Sequence, residues 1–165
     1  VEDISATSTD YRNYESYKKW QDKLFDNSGA DYFEAEFRGL PVAESRVIEI
    51  GFGAGQCMAW LASRGAQVTG LEIQPRLVVG GRSRGFDTHL SGEFDWTPLT
   101  GKVDLIVGFD VLEHLTDAET VSLLRTGAVA LKPGGAMLFR FPNMASPFGL
   151  LYQAADPTHT SPHKP

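Results

Sequence analysis

The stretch Val47-Ile48-Glu49-Ile50-Gly51-Phe52-Gly53-Ala54-Gly55 decides the fold. Val47 to Ile50 reads as a buried strand, and Gly51 to Gly55 as a tight glycine turn. Cys57 to Arg64 follows with a helical pattern and ends at Gly65, where a C′ glycine belongs. A strand that passes through such a turn into a helix brings backbone N–H groups and the positive helix end close to a ligand. Glycine is required because a Cβ would block that approach or the backbone angles it needs. The glycines run G-x-G-x-G, and Gln56 and Cys57 follow in place of the third glycine of G-x-G-x-x-G. A pyrophosphate cofactor wants that last glycine for close helix–strand packing, whereas a nucleoside cofactor without phosphates does not. The spacing therefore argues against NAD.

Downstream, short apolar runs keep alternating with helical ones. Val68 to Leu71 predicts a second strand, and Glu72 follows it. Pro75 opens a helix that Gly80, Gly81 and Gly85 weaken. His89 and Leu90 predict a short third strand and Val103 to Val107 a fourth. Asp117 to Leu131 is a helix that stops before Lys132-Pro133-Gly134-Gly135, and Ala136 to Phe141 is a fifth strand. Strands separated by helices imply right-handed crossovers and a parallel sheet. The expected class is α/β, doubly wound, with a core over residues 43–143.

Upstream, residues 1–10 are polar and aperiodic and read as a mobile arm. Tyr11, Tyr14, Tyr17, Trp20 and Leu24 then recur at helical spacing, and a second amphipathic stretch runs from Asp31 to Leu40. The 165 residues fit one domain at ~150 residues per domain. Fifteen basic and 21 acidic residues leave a net charge of −6, which disfavours a nucleic-acid partner. Cys57 is the single cysteine, so neither an internal disulfide nor a cysteine-built zinc site can form. No apolar run approaches ~18 residues and no signal pattern opens the chain, so the expectation is a cytoplasmic protein without a membrane segment.

Two acids flank the glycine turn. Glu49 lies two residues before Gly51, and Glu72 lies 17 residues after Gly55 at the end of the second strand, where an acid can accept from ribose hydroxyls. Further on come G-E-F at 92–94, F-D-V-L-E-H-L at 109–115, and L-K-P-G-G at 131–135 before an apolar run and P-N. With E-I-G-F-G-A-G, these segments resemble, in order and spacing, the class I S-adenosylmethionine-dependent methyltransferases over roughly Asp31 to Asn143. The middle residue of the first motif is more often Cys in that family than Phe, as at Phe52.

The resemblance implies a Rossmann-like, mostly parallel sheet ordered 3-2-1-4-5, with S-adenosylmethionine as cofactor. It implies that Glu49 accepts from the cofactor's ammonium and that Gly51, Phe52, Gly53 and Gly55 line its methionine and ribose portions. Glu72 would take the ribose hydroxyls, Ile73 the adenine face, Glu93 and Phe94 the adenine amine, and Phe109 the methionine end. Ile73 also reads as plain core and Glu93 as a solvated loop acid. Asp110, Glu113 and His114 resemble the E-x-x-E-H of ubiquinone-type O-methyltransferases, where such residues are associated with a divalent metal. The same letters serve helix entry in metal-free members, and no metal is assigned. An oxygen or nitrogen acceptor needs a base near neutral pH, and the candidates are His114 and His159, the latter in D-P-T-H. The N-terminal helical segment, residues 11–42, would fold over the cofactor mouth as a lid.

The expected activity is methyl transfer to oxygen or nitrogen of a small-molecule acceptor, such as a sugar or natural-product intermediate. The alternative is a non-catalytic cofactor-binding or scaffolding domain of a larger protein. The family's last two strands have no counterpart in the Pro-rich segment 144–165, since proline cannot donate to a sheet ladder. The fifth strand would then be an apolar edge, covered by an additional domain, by a second protomer or by residues 143–152 folding back. Weak or no turnover is expected from this chain alone.

Overall fold

The structure, a computed structural model, describes residues 29–143 together with Phe25, Asp26 and Ser146. The expected arm, the stripe from Tyr11 to Leu24, and His159 lie outside the described residues, as does all of 144–165 but Ser146. In chain order the described elements are α1 (Ala30–Glu36), β1 (Arg46–Ile50), α2 (Gln56–Ser63), β2 (Gln67–Glu72), α3 (Pro75–Arg82), β3 (Asp87–Leu90), β4 (Val103–Phe109), α4 (Asp117–Ala130) and β5 (Leu131–Arg140). The five strands form one sheet ordered β3-β2-β1-β4-β5, and every pairing is parallel.

β1 lies at the centre because it is apolar on both faces. Val47 and Ile48 are fully buried and point to opposite layers, as alternation along a strand requires. Val47, with Leu105 and Val107 of β4, packs against Phe33 of α1, Phe37 just after it, and Trp60 and Leu61 of α2. Ile48, Ile50 and Ile106 face the other layer, where Ala130 of α4 joins them. Phe52, Met58, Leu77 and Val78 form a third cluster where α2 meets α3. Helices thus cover both faces, which is the doubly wound arrangement. No helix among the described residues is long and apolar enough to cross a membrane.

Two local features add to the sequence expectation, and the second corrects it. α3 runs through both Gly80 and Gly81. A Cβ at Gly81 would lie 2.7 Å from Cγ2 of Thr88, whose hydroxyl donates to the Val78 carbonyl at 2.8 Å. The glycine that weakens the helix is what lets it sit this close to β3. The fifth strand was expected to begin at Ala136, but Leu131 already pairs with Val103, and the register then jumps to Leu105 opposite Ala136. Lys132 to Gly135 bulge out opposite Asp104, and Lys132 Nζ donates to both Asp104 carboxylate oxygens at 2.8 Å. At its other end β5 stops at Arg140, with Phe141 outside the ladder. Among the described residues no strand pairs with the outer edge of β5.

Candidate functional site

The strand order reverses between β1 and β4, so the crevice at their carboxyl ends is where a ligand is expected in a sheet of this kind. The glycine turn enters this crevice. Gly51, Gly53 and Gly55 have φ of +65°, +51° and +73°, angles that L side chains rarely adopt. The turn is tied to the end of β2. The Gly51 and Phe52 amides donate to the Leu71 carbonyl at 2.7 and 3.4 Å, and the Gly53 amide to Glu72 Oε2 at 3.0 Å. Glu72 also accepts from the Ile73 and Gln74 amides through Oε1, at 2.7 and 3.2 Å. Its carboxylate therefore clamps the glycine turn to the β2–α3 junction while 5% exposed.

Glu49, on β1, is 3% exposed, and its Oε2 has no hydrogen-bond partner among the described residues. Burial pushes its carboxyl up to about 8; a hydrogen bond from the Cys57 thiol opposes that rise and the Glu72 carboxylate adds to it. Burial, with the neighbouring Glu49, pushes the thiol itself up.

The remaining expected site residues fall along the same edge of the sheet. Phe52, expected among the cofactor contacts, has its side chain in the α2–α3 core and leaves only main chain at the turn. Ile73 is 56% exposed just beyond β2, which sets aside its reading as core. Glu93 is exposed in a 3-10 turn, Ser91–Glu93, after β3. Phe94 is half-buried, its ring 5.1 Å from that of His89 and 5.4 Å from that of Trp96. Phe109 is the last residue of β4, and its ring meets those of Tyr32, Phe33 and Phe37 at 5.7 to 6.1 Å. His114 closes a 3-10 turn, Leu112–His114, beyond β4. Hydrogen bonds join Glu49 to Cys57 and the glycine turn to Glu72, whereas Glu93 and His114 sit on separate turns of the same edge. No group of three or more His, Cys, Asp or Glu among the described residues could hold a metal.

Cys57, Phe25 and Tyr32 had no site role in the sequence reading, and Asp110 only one beside Glu113 and His114. Cys57 is the hydrogen-bond partner of Glu49; its only signal is its place in the first turn after the glycines. Phe25 covers Gly55, donates its amide to the Ala54 carbonyl at 2.7 Å and stacks on Phe86 at 4.5 Å. Tyr32 lies beneath the Arg140 guanidinium, 5.3 Å from the ring centre. Its phenol is pushed up to about 12, first by partial burial and further by Glu36 and Asp110, against the opposing charge of Arg140. Asp110 holds a strained φ of +54° at the tip of β4, where its amide donates to the Arg140 carbonyl at 2.8 Å. A charged cleft of about 280 Å³, lined by Arg46, Lys102, Asp104 and Lys132 among others, opens at the opposite, amino edge of the sheet.

Residues 11–162 match a family described as a methyltransferase domain. A ubiquinone biosynthesis O-methyltransferase of Xanthomonas oryzae pv. oryzae is 31% identical over 114 residues, which are 65% of this chain and 46% of that protein. An S-adenosylmethionine-dependent methyltransferase structure from Mesorhizobium loti superposes with a TM-score of 0.59 at 26% identity, covering 72% of this chain and 56% of that one. One from Archaeoglobus fulgidus gives 0.70 at 20% identity, covering 90% and 68%, and supports the fold alone. The chain thus spans less than half the length of the curated relative it matches.

Proposed function

The chain belongs to the methyltransferase-domain family, and from that premise we propose that its glycine turn and strand-end acids bind S-adenosylmethionine for methyl transfer to a small-molecule acceptor. The observation that carries this reading is the inward direction of the turn's amides. Gly51, Phe52 and Gly53 spend theirs on Leu71 and Glu72 instead of presenting them as an anion nest. A pyrophosphate would need such a nest; a cofactor without phosphates does not.

The residues present fit the cofactor at both ends. Glu72, fixed by three backbone bonds at the end of β2, stands where ribose hydroxyls would approach. Glu49 offers a buried oxygen to an ammonium. Exposed Ile73 and the Glu93–Phe94 segment would face adenine, and Phe109, across the switch point, the methionine end. Bound S-adenosylmethionine supplies a methyl group on a sulfonium. The chain's own task is to orient the acceptor and exclude water, which can supply most of the acceleration. His114, at the carboxyl edge of β4, would take the acceptor's proton, a role for which His159 is the second candidate. The relative named as an O-methyltransferase favours oxygen over nitrogen as the methylated atom; the acceptor we propose is a small molecule such as a sugar or natural-product intermediate. The edge of β5, which no strand among the described residues pairs, favours as the second reading a non-catalytic cofactor-binding or scaffolding domain of a larger protein.

Calorimetric titration with S-adenosylmethionine, S-adenosylhomocysteine and NAD tests the first reading. The two sulfur compounds should bind and NAD should not. Glu72→Ala should weaken binding by ~1.5–3 kcal/mol, roughly ten- to a hundred-fold. Heat with NAD alone overturns the reading. An acceptor screen that follows S-adenosylhomocysteine formation separates an enzyme from a binding unit.

A further inference from the structure

Glu49 is a buried carboxyl whose described surroundings hold no counter-charge. The groups that bear on its ionisation are the Cys57 thiol from α2 and the Glu72 carboxylate from β2. On its face of β1 an apolar cluster packs: Phe33 from α1, Phe37 just after it, Trp60 and Leu61 from α2, Leu105 and Val107 from β4. A buried carboxylate beside a second one, without a cation, is held as the neutral acid. A cationic ligand changes that balance, because it brings the missing charge to Oε2, the oxygen without a described partner.

We propose that the cofactor's ammonium enters the site by exchange with a proton. Glu49 is a neutral acid in the free protein and loses its proton to solvent as the ammonium arrives, while Cys57 is the positioning residue that holds its carboxyl. The inference rests on the S-adenosylmethionine reading. The exchange breaks one O–H bond of Glu49, and the proton leaves to buffer. The carboxylate formed accepts from the ammonium and from the Cys57 S–H, and no covalent bond of the cofactor changes. A Glu49 carboxyl pushed up to about 8 is mostly protonated at neutral pH. The thiol, pushed up as well, remains a donor throughout. Glu72, by contrast, accepts from three backbone amides.

The test is calorimetric titration of the full chain with S-adenosylhomocysteine at pH 6.5, in two buffers of different ionisation enthalpy. An α-amino group is protonated at that pH, so the released proton comes from the protein. Close to one proton should leave per ligand bound, and Glu49→Gln should bind more weakly with no release. Affinity should rise by about ten-fold or more from pH 6 to 7.5, a range that ends before the ligand's own ammonium is largely lost. Cys57→Ala removes a donor that favours the ionised carboxylate, so the rise in affinity between pH 6 and 7.5 should be displaced to higher pH, and Cys57→Ser should restore it. Tight binding by the unmodified chain with no buffer-dependent heat overturns the exchange. An unmoved pH profile in Cys57→Ala removes the role given to the thiol. Failure of the unmodified chain to bind S-adenosylhomocysteine counts instead against the cofactor reading.

Discussion

Glu49 and Glu72 are both buried at the carboxyl ends of neighbouring strands, yet the chain meets their charges in different ways. Glu72 collects three backbone amides, and Glu49 has one thiol. The difference carries a stability prediction for the free protein. The Glu49 carboxyl is pushed up by burial from 4.5 to about 8, so between those values the folded state binds more protons than the unfolded. Stability from this group is complete below about pH 4.5 and is lost as pH rises toward 8. Urea unfolding at pH 6 and 8 should show the loss, on the order of a few kcal/mol at most, and Glu49→Gln should flatten it. A wild-type curve no steeper than that of the variant would contradict the assignment. Both acids were legible in the sequence because each stands at a fixed offset from the glycine turn. Cys57 was not, since a thiol at the start of a helix reads as a small apolar residue. The strained φ of Asp110 leaves no trace in residue type either.

At the scale of one element, α3 separates what propensity dictates from what packing dictates. A Cβ at Gly80 would touch only Arg84 Nη1, at 3.6 Å, whereas one at Gly81 would meet Thr88 Cγ2 at 2.7 Å and the Phe25 ring at 3.1 Å. Gly80→Ala should therefore stabilise by about 0.5–1 kcal/mol, the ordinary helix-propensity gain. Gly81→Ala gains the same propensity but overpacks the seam with β3, so it should destabilise by about 1–3 kcal/mol. Thermal unfolding of the two variants, expected to shift in opposite directions, checks this. Like behaviour would mean that the seam relaxes. The sequence showed a glycine-weakened helix but not which glycine was needed, because that depends on how closely Thr88 approaches. The Lys132–Gly135 bulge was hidden for a related reason: Leu131 joins the ladder through a partner 28 residues earlier, Val103.

Across the whole molecule, strand position sets the expected order of stability. β1 is hydrogen-bonded on both sides, by β2 and β4, and β4 likewise by β1 and β5, while β3 is a four-residue edge strand. Native-state hydrogen exchange should find the slowest amides in β1 and β4, at Ile48 and Ile106 for example, and faster ones in β3. Amides of β3 as slow as those of β1 would show that its edge is protected by something beyond the described residues. The family resemblance implied the order of strands in the sheet, while the sequence by itself determined the number of strands and their succession along the chain, the glycine turn and the two acids beside it. Those features rest on local rules: apolar runs for strands buried on both faces, and glycines where the chain needs positive φ. Tertiary structure alone decided that the turn's amides point inward to Leu71 and Glu72. It also decided that Phe52 is core, that Ile73 is exposed, and that Cys57 meets Glu49. Hydrogen-bond direction and burial depend on segments brought together from β1, β2 and α2, and the order of residues along one chain does not record which of them meet in space.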